Sequence, residues 1–172
     1  MPLLFGSVTV QAQCAGPYEF FESVPTGFGS NASTPMVTDG WAMSVSNLSS
    51  AASPNNHSGL RALLVNGGTA RFIRTPQLSA PGVYSFWLKA TSGGYNFRVE
   101  HSTDPGMASP ILLGDYTGPA NTPWTKFSFD LVAASVPAGS YIRISTFGVG
   151  TMFFDDFAHV SANPALNTVI VP

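Results

Sequence analysis

Between residues 60 and 160 no segment of three or four turns shows helical periodicity free of Gly, Pro or β-branched interruption. The chain instead reads as short β-type runs broken by turn formers. "LRALLVN" (60–66) is followed by "TARFIRTPQL" (69–78), "GVYSFWLKA" (82–90), "YNFRVEHS" (95–102) and "PILLGDY" (110–116). "WTKFSFDLV" (124–132), "SYIRISTFG" (140–148) and "TMFFDDFAHV" (151–160) complete the series. Before residue 60 only "GPYEFFESV" and "GWAMSV" read as strands, with "PTGFGSNASTPMVTDG" and "SNLSSAASPNNHSG" as loops. The glycines of "NGGT" and "TSGGY" supply the positive φ that tight hairpins need.

Several runs alternate cleanly, as a half-buried strand requires. Tyr84, Phe86 and Leu88 oppose Ser85, Trp87 and Lys89. Phe97, Val99 and His101 oppose Asn96, Arg98 and Glu100. Ile142 and Ile144 oppose Tyr141, Arg143 and Ser145, and Phe127, Phe129 and Leu131 oppose Lys126, Ser128 and Asp130. One apolar and one polar face per strand is the pattern of antiparallel sheets packed face to face. The expected fold is all-β, a two-sheet antiparallel β-sandwich.

A chain of 172 residues suffices for one domain with a real core, and 44% hydrophobic residues argue against disorder. Seven Lys plus Arg and a net charge of −2 speak against a nucleic-acid surface. No basic amphipathic helix and no apolar run of about 18 residues is present, so no membrane insertion is expected. The single Cys14 excludes an internal disulfide.

"LLFGSVTV" matches the apolar core of a secretion signal and "VQA" before Gln13 a small-residue cleavage site, although a basic n-region is missing. Residues 1–14 are therefore expected to be a signal-peptide remnant, 15–161 the sandwich and 162–172 a tail or linker. A secreted or cell-surface location follows from that reading.

The order of landmarks carries a resemblance. "YEFFESVPTGF", "DGWAMS", "HSGLRALLV", "FRVEHSTDP", "WTKFSFDL", "YIRIS" and "FFDDF" follow one another over about residues 17–160. This series resembles the jelly-roll modules of bacterial secreted and surface proteins, relatives in architecture of MAM domains and many carbohydrate-binding modules. The marks are Glu19, Phe21 and Glu22 at the start, then Trp41, Ser58 and Gly59, then Asp155 and Asp156 in the last strand. The resemblance implies a jelly roll whose first and last strands are neighbours. It also implies a structural calcium held by acids of those two strands and backbone carbonyls.

Calcium takes six to eight oxygens, and Glu19, Glu22, Asp155 and Asp156 would supply the negative charge. Carbonyls of "NNHSG" (55–59) and the Asp39 side chain are possible additions. Glu19 and Glu22 point to opposite faces by alternation, so Glu22 and Asp156 are favoured. The rival reading leaves these acids at strand ends in water, or pairs them with Arg61, Arg71 or Arg74.

If the apolar faces form the core, the outer face of one sheet is expected to carry Trp87 as an aromatic platform. Arg98, Glu100, Arg143 and Tyr141 would be its polar partners. Such a set suits the apolar ring face and hydroxyl rim of a sugar. The bland alternative covers Trp87 with the "SSAASPNNHSG" loop and pairs the charges across strands. Tyr95, Tyr116, Phe28 and Phe147, beside glycines, are a second candidate site at the loop end of the sandwich.

No catalytic residues are assigned. Glu100 is the one mid-sheet acid among the polar positions, with Asp115 and Asp130 near strand ends, whereas glycoside hydrolysis needs two carboxyls across a cleft, and no Gly-x-Ser-x-Gly elbow is present. The expected function is a non-catalytic extracellular binding module with carbohydrate as partner. A protein–protein adhesion or spacer module, with other extracellular proteins as partners, is the first alternative; it predicts a buried Trp87 and no polar groove. A hydrolase is the second, and it predicts a pocket enclosing two acids.

Overall fold

The computed structural model describes residues 36–38, 40–44, 47–48, 55–58, 62–66, 71–148 and 150–162. Glu19, Glu22, Phe28, Asp39 and Arg61, both expected domain boundaries and the "GPYEFFESV" strand lie outside these residues or at their limit.

Eleven strands are described, and all pair antiparallel. They are β1 (Met36–Thr38), β2 (Trp41–Ser44), β3 (Asn47–Leu48), β4 (Leu63–Asn66), β5 (Arg71–Arg74) and β6 (Gly82–Ser92). The chain continues through β7 (Tyr95–Ser102), β8 (Ile111–Gly118), β9 (Thr125–Asp130), β10 (Tyr141–Thr146) and β11 (Thr151–Ser161). One sheet has the order β1-β2-β5-β10-β7-β8, the other β3-β4-β11-β6-β9. From β4 onward the chain crosses repeatedly between the sheets, which is the jelly-roll course. The expected two-sheet sandwich is what the chain forms.

Two turns differ from expectation. "NGGT" and "TSGGY" do not close hairpins: β4 and β6 belong to one sheet, β5 and β7 to the other. The positive φ of Gly93 (66°) and Gly94 (77°) lifts the chain from one sheet to the next. A side chain at Gly94 would have its Cβ 2.4 Å from the Gly118 carbonyl oxygen, so this corner also demands the absence of one. Two short strands, β1 and β3, arise inside segments read as loops, because two or three residues are too few to show alternation.

The core lies where the inner rows of the two sheets meet, and it is aromatic. Phe86 of β6 packs at 5.6 Å on Phe127, 5.9 Å on Phe129, 5.7 Å on Phe154 and 5.6 Å on Phe157 within its own sheet. Across the sandwich it meets Phe97 of β7 edge-on at 5.8 Å. Phe97 in turn lies 5.0 Å from Phe127 and 5.1 Å from Tyr116.

Strict alternation in "TMFFDDFAHV" would place Phe153, Asp155 and Phe157 on one face. The structure corrects this. Asp155 stands opposite Trp87 and Ala158 opposite Ser85, so β11 holds one residue more than β6 across this span. That is a β-bulge, with Asp156 left-handed at φ 48°. The extra residue reverses parity. Met152, Phe154 and Phe157 all enter the core, while Phe153 and Asp155 face outward beside Lys89 and Trp87.

Candidate binding groove

The register of the six-stranded sheet writes its outer face as rows, because residues directly opposite on neighbouring strands point the same way. One row runs Ala42, Arg74, Arg143, Glu100, Leu112; the next runs Ser44, Phe72, Ser145, Arg98, Asp115. Tyr141, two residues before Arg143 on β10, stands opposite Ser102. Two cavities adjoin here and share Phe72 and Arg143 as a common floor. The first, about 330 Å³, extends over Ala42 and Arg74 to Met107; the second, about 270 Å³, extends over Arg71, Arg98, Glu100 and Ser145 to Phe147. Together they form a groove that crosses β5, β10 and β7.

Glu100 is 7% exposed and would be costly to bury alone. Its Oε2 accepts from Arg143 Nε at 3.0 Å, Arg143 Nη2 at 2.9 Å and Ser145 Oγ at 3.2 Å. Its Oε1 accepts no hydrogen bond among the described residues and stays available to a ligand. Arg98 forms a forked pair with Asp115, Nε to Oδ1 at 2.7 Å and Nη2 to Oδ2 at 3.2 Å. That guanidinium holds the Asp115 carboxyl below the usual carboxylate range. The same group lies 5.6 Å from the centre of the Phe147 ring, and Arg74 lies 5.0 Å from that of Tyr141.

The rim beside Arg74 is the 103–110 loop. Asp104 accepts from the amides of Gly106 and Ala108, both at 2.9 Å, and these bonds hold its carboxyl below the usual range. Arg74 Nη1 donates to the Pro105 carbonyl oxygen, tying rim to floor.

The acids of β11 lie on the outer face of the other sheet. Asp155 is fully buried. Its Oδ2 accepts from the His57 amide at 2.7 Å and the Ser58 amide at 3.2 Å, and its Oδ1 from the Asp156 amide at 2.8 Å. Asp156 accepts from His57 Nδ1 at 2.5 Å and from Ser58 Oγ. Hydrogen bonds from residues 57 and 58 therefore hold both carboxylates. The oxygen chemistry suits a hard cation, but every one of these oxygens already faces an N–H or O–H donor. No group of three or more His, Cys, Asp or Glu gathers for a metal among the described residues. Asp155 and Asp156 alone supply too few oxygens for the six to eight that calcium takes; such an ion would need further oxygens, those of Glu19, Glu22 or Asp39, which lie outside the described residues, or carbonyls of residues 55–59.

Of the residues expected to bind a ligand, Arg98, Glu100, Arg143 and Tyr141 come together on one face. Trp87 does not join them, since β6 belongs to the opposite sheet. It is half-buried, and the His57 ring stacks on it at 3.9 Å. Most of the remaining groove was not expected in this place: Phe72 and Arg74 had their alternation with Ile73 as the available signal, Phe147 was assigned to the loop end, and Arg71 was read only as a partner for the acids.

No protein-family model matches the chain, and no curated protein matches it. Solved structures do match its fold. The K1 cleaved adhesin domain of Lys-gingipain from Porphyromonas gingivalis superposes with a TM-score of 0.59 at 19% identity, covering 86% of this chain and 98% of that one. The K2 domain of the same protein gives 0.57 at 15% identity, over 83% and 98%. The C-terminal family 22 carbohydrate-binding module of Clostridium thermocellum Xyn10B gives 0.50 at 16% identity, over 78% and 91%. What these identities share is the fold, the two-sheet β-sandwich found in adhesin and carbohydrate-binding domains.

Proposed function

We propose that this chain is a non-catalytic extracellular module that binds carbohydrate in the groove over β5, β10 and β7. The observation that carries the reading is the make-up of that groove. An aromatic floor at Phe72 and a ring at Phe147 flank planar polar groups that are held rigid by pairing yet keep free hydrogen-bonding atoms. A sugar asks for this combination of apolar surface and fixed donors and acceptors. The likeness to a module whose cleft binds ligand agrees with it.

A glycan array tests the proposal. Phe72→Ala is expected to lower affinity for the recognised glycan about tenfold or more, by loss of stacking area. Trp87→Ala, on the opposite sheet, is expected to leave that affinity unchanged. Binding lost in Trp87→Ala and retained in Phe72→Ala would move the site to the other sheet. Capture of extracellular proteins with no glycan bound would favour the adhesion reading, which the likeness to the K1 domain supports. The structural calcium is carried as a second proposal, resting on Glu19 and Glu22 joining Asp155 and Asp156.

A further inference from the structure

We infer that the groove selects acidic saccharides, with a carboxylate or sulfate seated between Arg74 and Arg143. This inference rests on the groove being a carbohydrate site and names the class of sugar it takes. On a chain of net charge −2, four arginines line the two cavities: Arg71, Arg74, Arg98 and Arg143. Among the described residues Glu100 is the one carboxylate that lines them.

Arg74 and Arg143 are directly opposed on β5 and β10. Like charges in that position repel each other unless something lies between them. Arg143 has Glu100 on its other side. Arg74 has a carbonyl oxygen, an aromatic face and, near by, Asp104, whose oxygens are turned to the Gly106 and Ala108 amides. Among the described residues Arg74 therefore hydrogen-bonds to no carboxylate, and Asp104 acts on it only through space.

The donor inventory agrees. A guanidinium has three nitrogens, and each of three arginines spends only part of them on the protein. Arg74 uses Nη1; Arg98 and Arg143 each use Nε and Nη2. Arg74 Nη2, Arg98 Nη1 and Arg143 Nη1 have no acceptor among the described residues, and none of the three is sealed from solvent. Guanidinium forks match a planar carboxylate or a sulfate better than they match a neutral hydroxyl. The position between Arg74 and Arg143 relieves the repulsion only when the group it holds is an anion.

Matched saccharide pairs test the inference by titration calorimetry: oligogalacturonate and glucuronoxylan oligosaccharides, each against its carboxyl-reduced counterpart, with a sulfated galactan alongside. The acidic member of at least one pair, or the sulfated galactan, is expected to bind about tenfold or more tightly than its neutral backbone, with affinity falling as salt rises. Arg74→Gln is expected to bring that ratio close to one. Arg98→Gln, a substitution that leaves the Arg143–Glu100 pair intact, is expected to reduce it in part. Neutral and acidic members binding equally well would overturn the inference and leave the groove a carbohydrate site. Polyglutamate competing as strongly as any acidic saccharide would overturn it in favour of a general anion site. Binding of no saccharide at all would overturn both readings together.

Discussion

Asp155→Ala is expected to melt about 10 °C below the parent protein. The carboxylate is fully buried and, among the described residues, accepts from three backbone amides, two from residues 57 and 58 and one from Asp156. Alanine leaves those donors without an acceptor, at about 1–3 kcal/mol for each one that stays buried. Water recovers part of that loss, so the net is about 3–4 kcal/mol, and one kcal/mol is about 2–4 °C for a domain of this size. Asp155→Asn keeps one acceptor oxygen and should fall between the two. Release of residues 57 and 58 would also unstack His57 from Trp87, which a red shift of tryptophan fluorescence would report. A melting temperature within about 2 °C of the parent would mean that these amides find acceptors elsewhere. Chelator added to the parent protein separates the ion from the hydrogen bonds. Glu19 and Glu22 closing on calcium predict a lower melting temperature, whereas an unchanged one removes the calcium.

Phe86→Ala is expected to destabilise by about 3–5 kcal/mol, the range for a fully buried phenylalanine cut to alanine. Phe86 has no exposed surface and touches aromatic rings from β6, β7, β9 and β11, so it joins the sheets as well as filling space. Its neighbours are held by strand pairing on both sides, which limits how far they can close over the gap. Urea unfolding should show a lower midpoint with little change in slope. Phe86→Leu, which removes less volume, should cost less than half as much. A loss below about 1 kcal/mol for alanine would mean that the aromatic cluster can repack around the cavity.

The strand series from β6 to β11 was legible because alternation is a local property. A pleated backbone sends successive side chains to opposite faces whatever lies next to it. Tyr84, Phe86 and Leu88, or Ile142 and Ile144, therefore announced the inner rows, and Arg98, Glu100 and Arg143 the outer ones. The same rule failed at Asp156, where one extra residue with positive φ reversed the parity and carried Phe157 inward. Nothing in "FFDDF" distinguishes a regular strand from a bulged one. Glycine pairs were legible as places where the chain turns, but a hairpin and a crossing between sheets ask for the same positive φ.

The candidate site shows the same division. Pairing of the outer-face charges across strands was one of the two sequence readings, and Glu100 pairs with Arg143 because β10 places Arg143 directly opposite. Trp87 could not be assigned to a sheet from its own strand. Its alternation established that it faced away from the core, and both sheets have a face that does so.

The sequence by itself determined that this chain is all-β, which residues of each well-patterned strand turn inward, and that its charges sit on outer faces. Tertiary structure alone decided which strands became neighbours. It thereby gathered Arg74, Arg143, Glu100, Phe72 and Arg98 into one groove and sent Trp87 to the far side of the molecule. The physical reason is one of range: side-chain direction follows from a residue's own backbone and its immediate neighbours. Strand partnership depends on burying apolar rows contributed by segments tens of residues apart, and on satisfying every backbone amide between them.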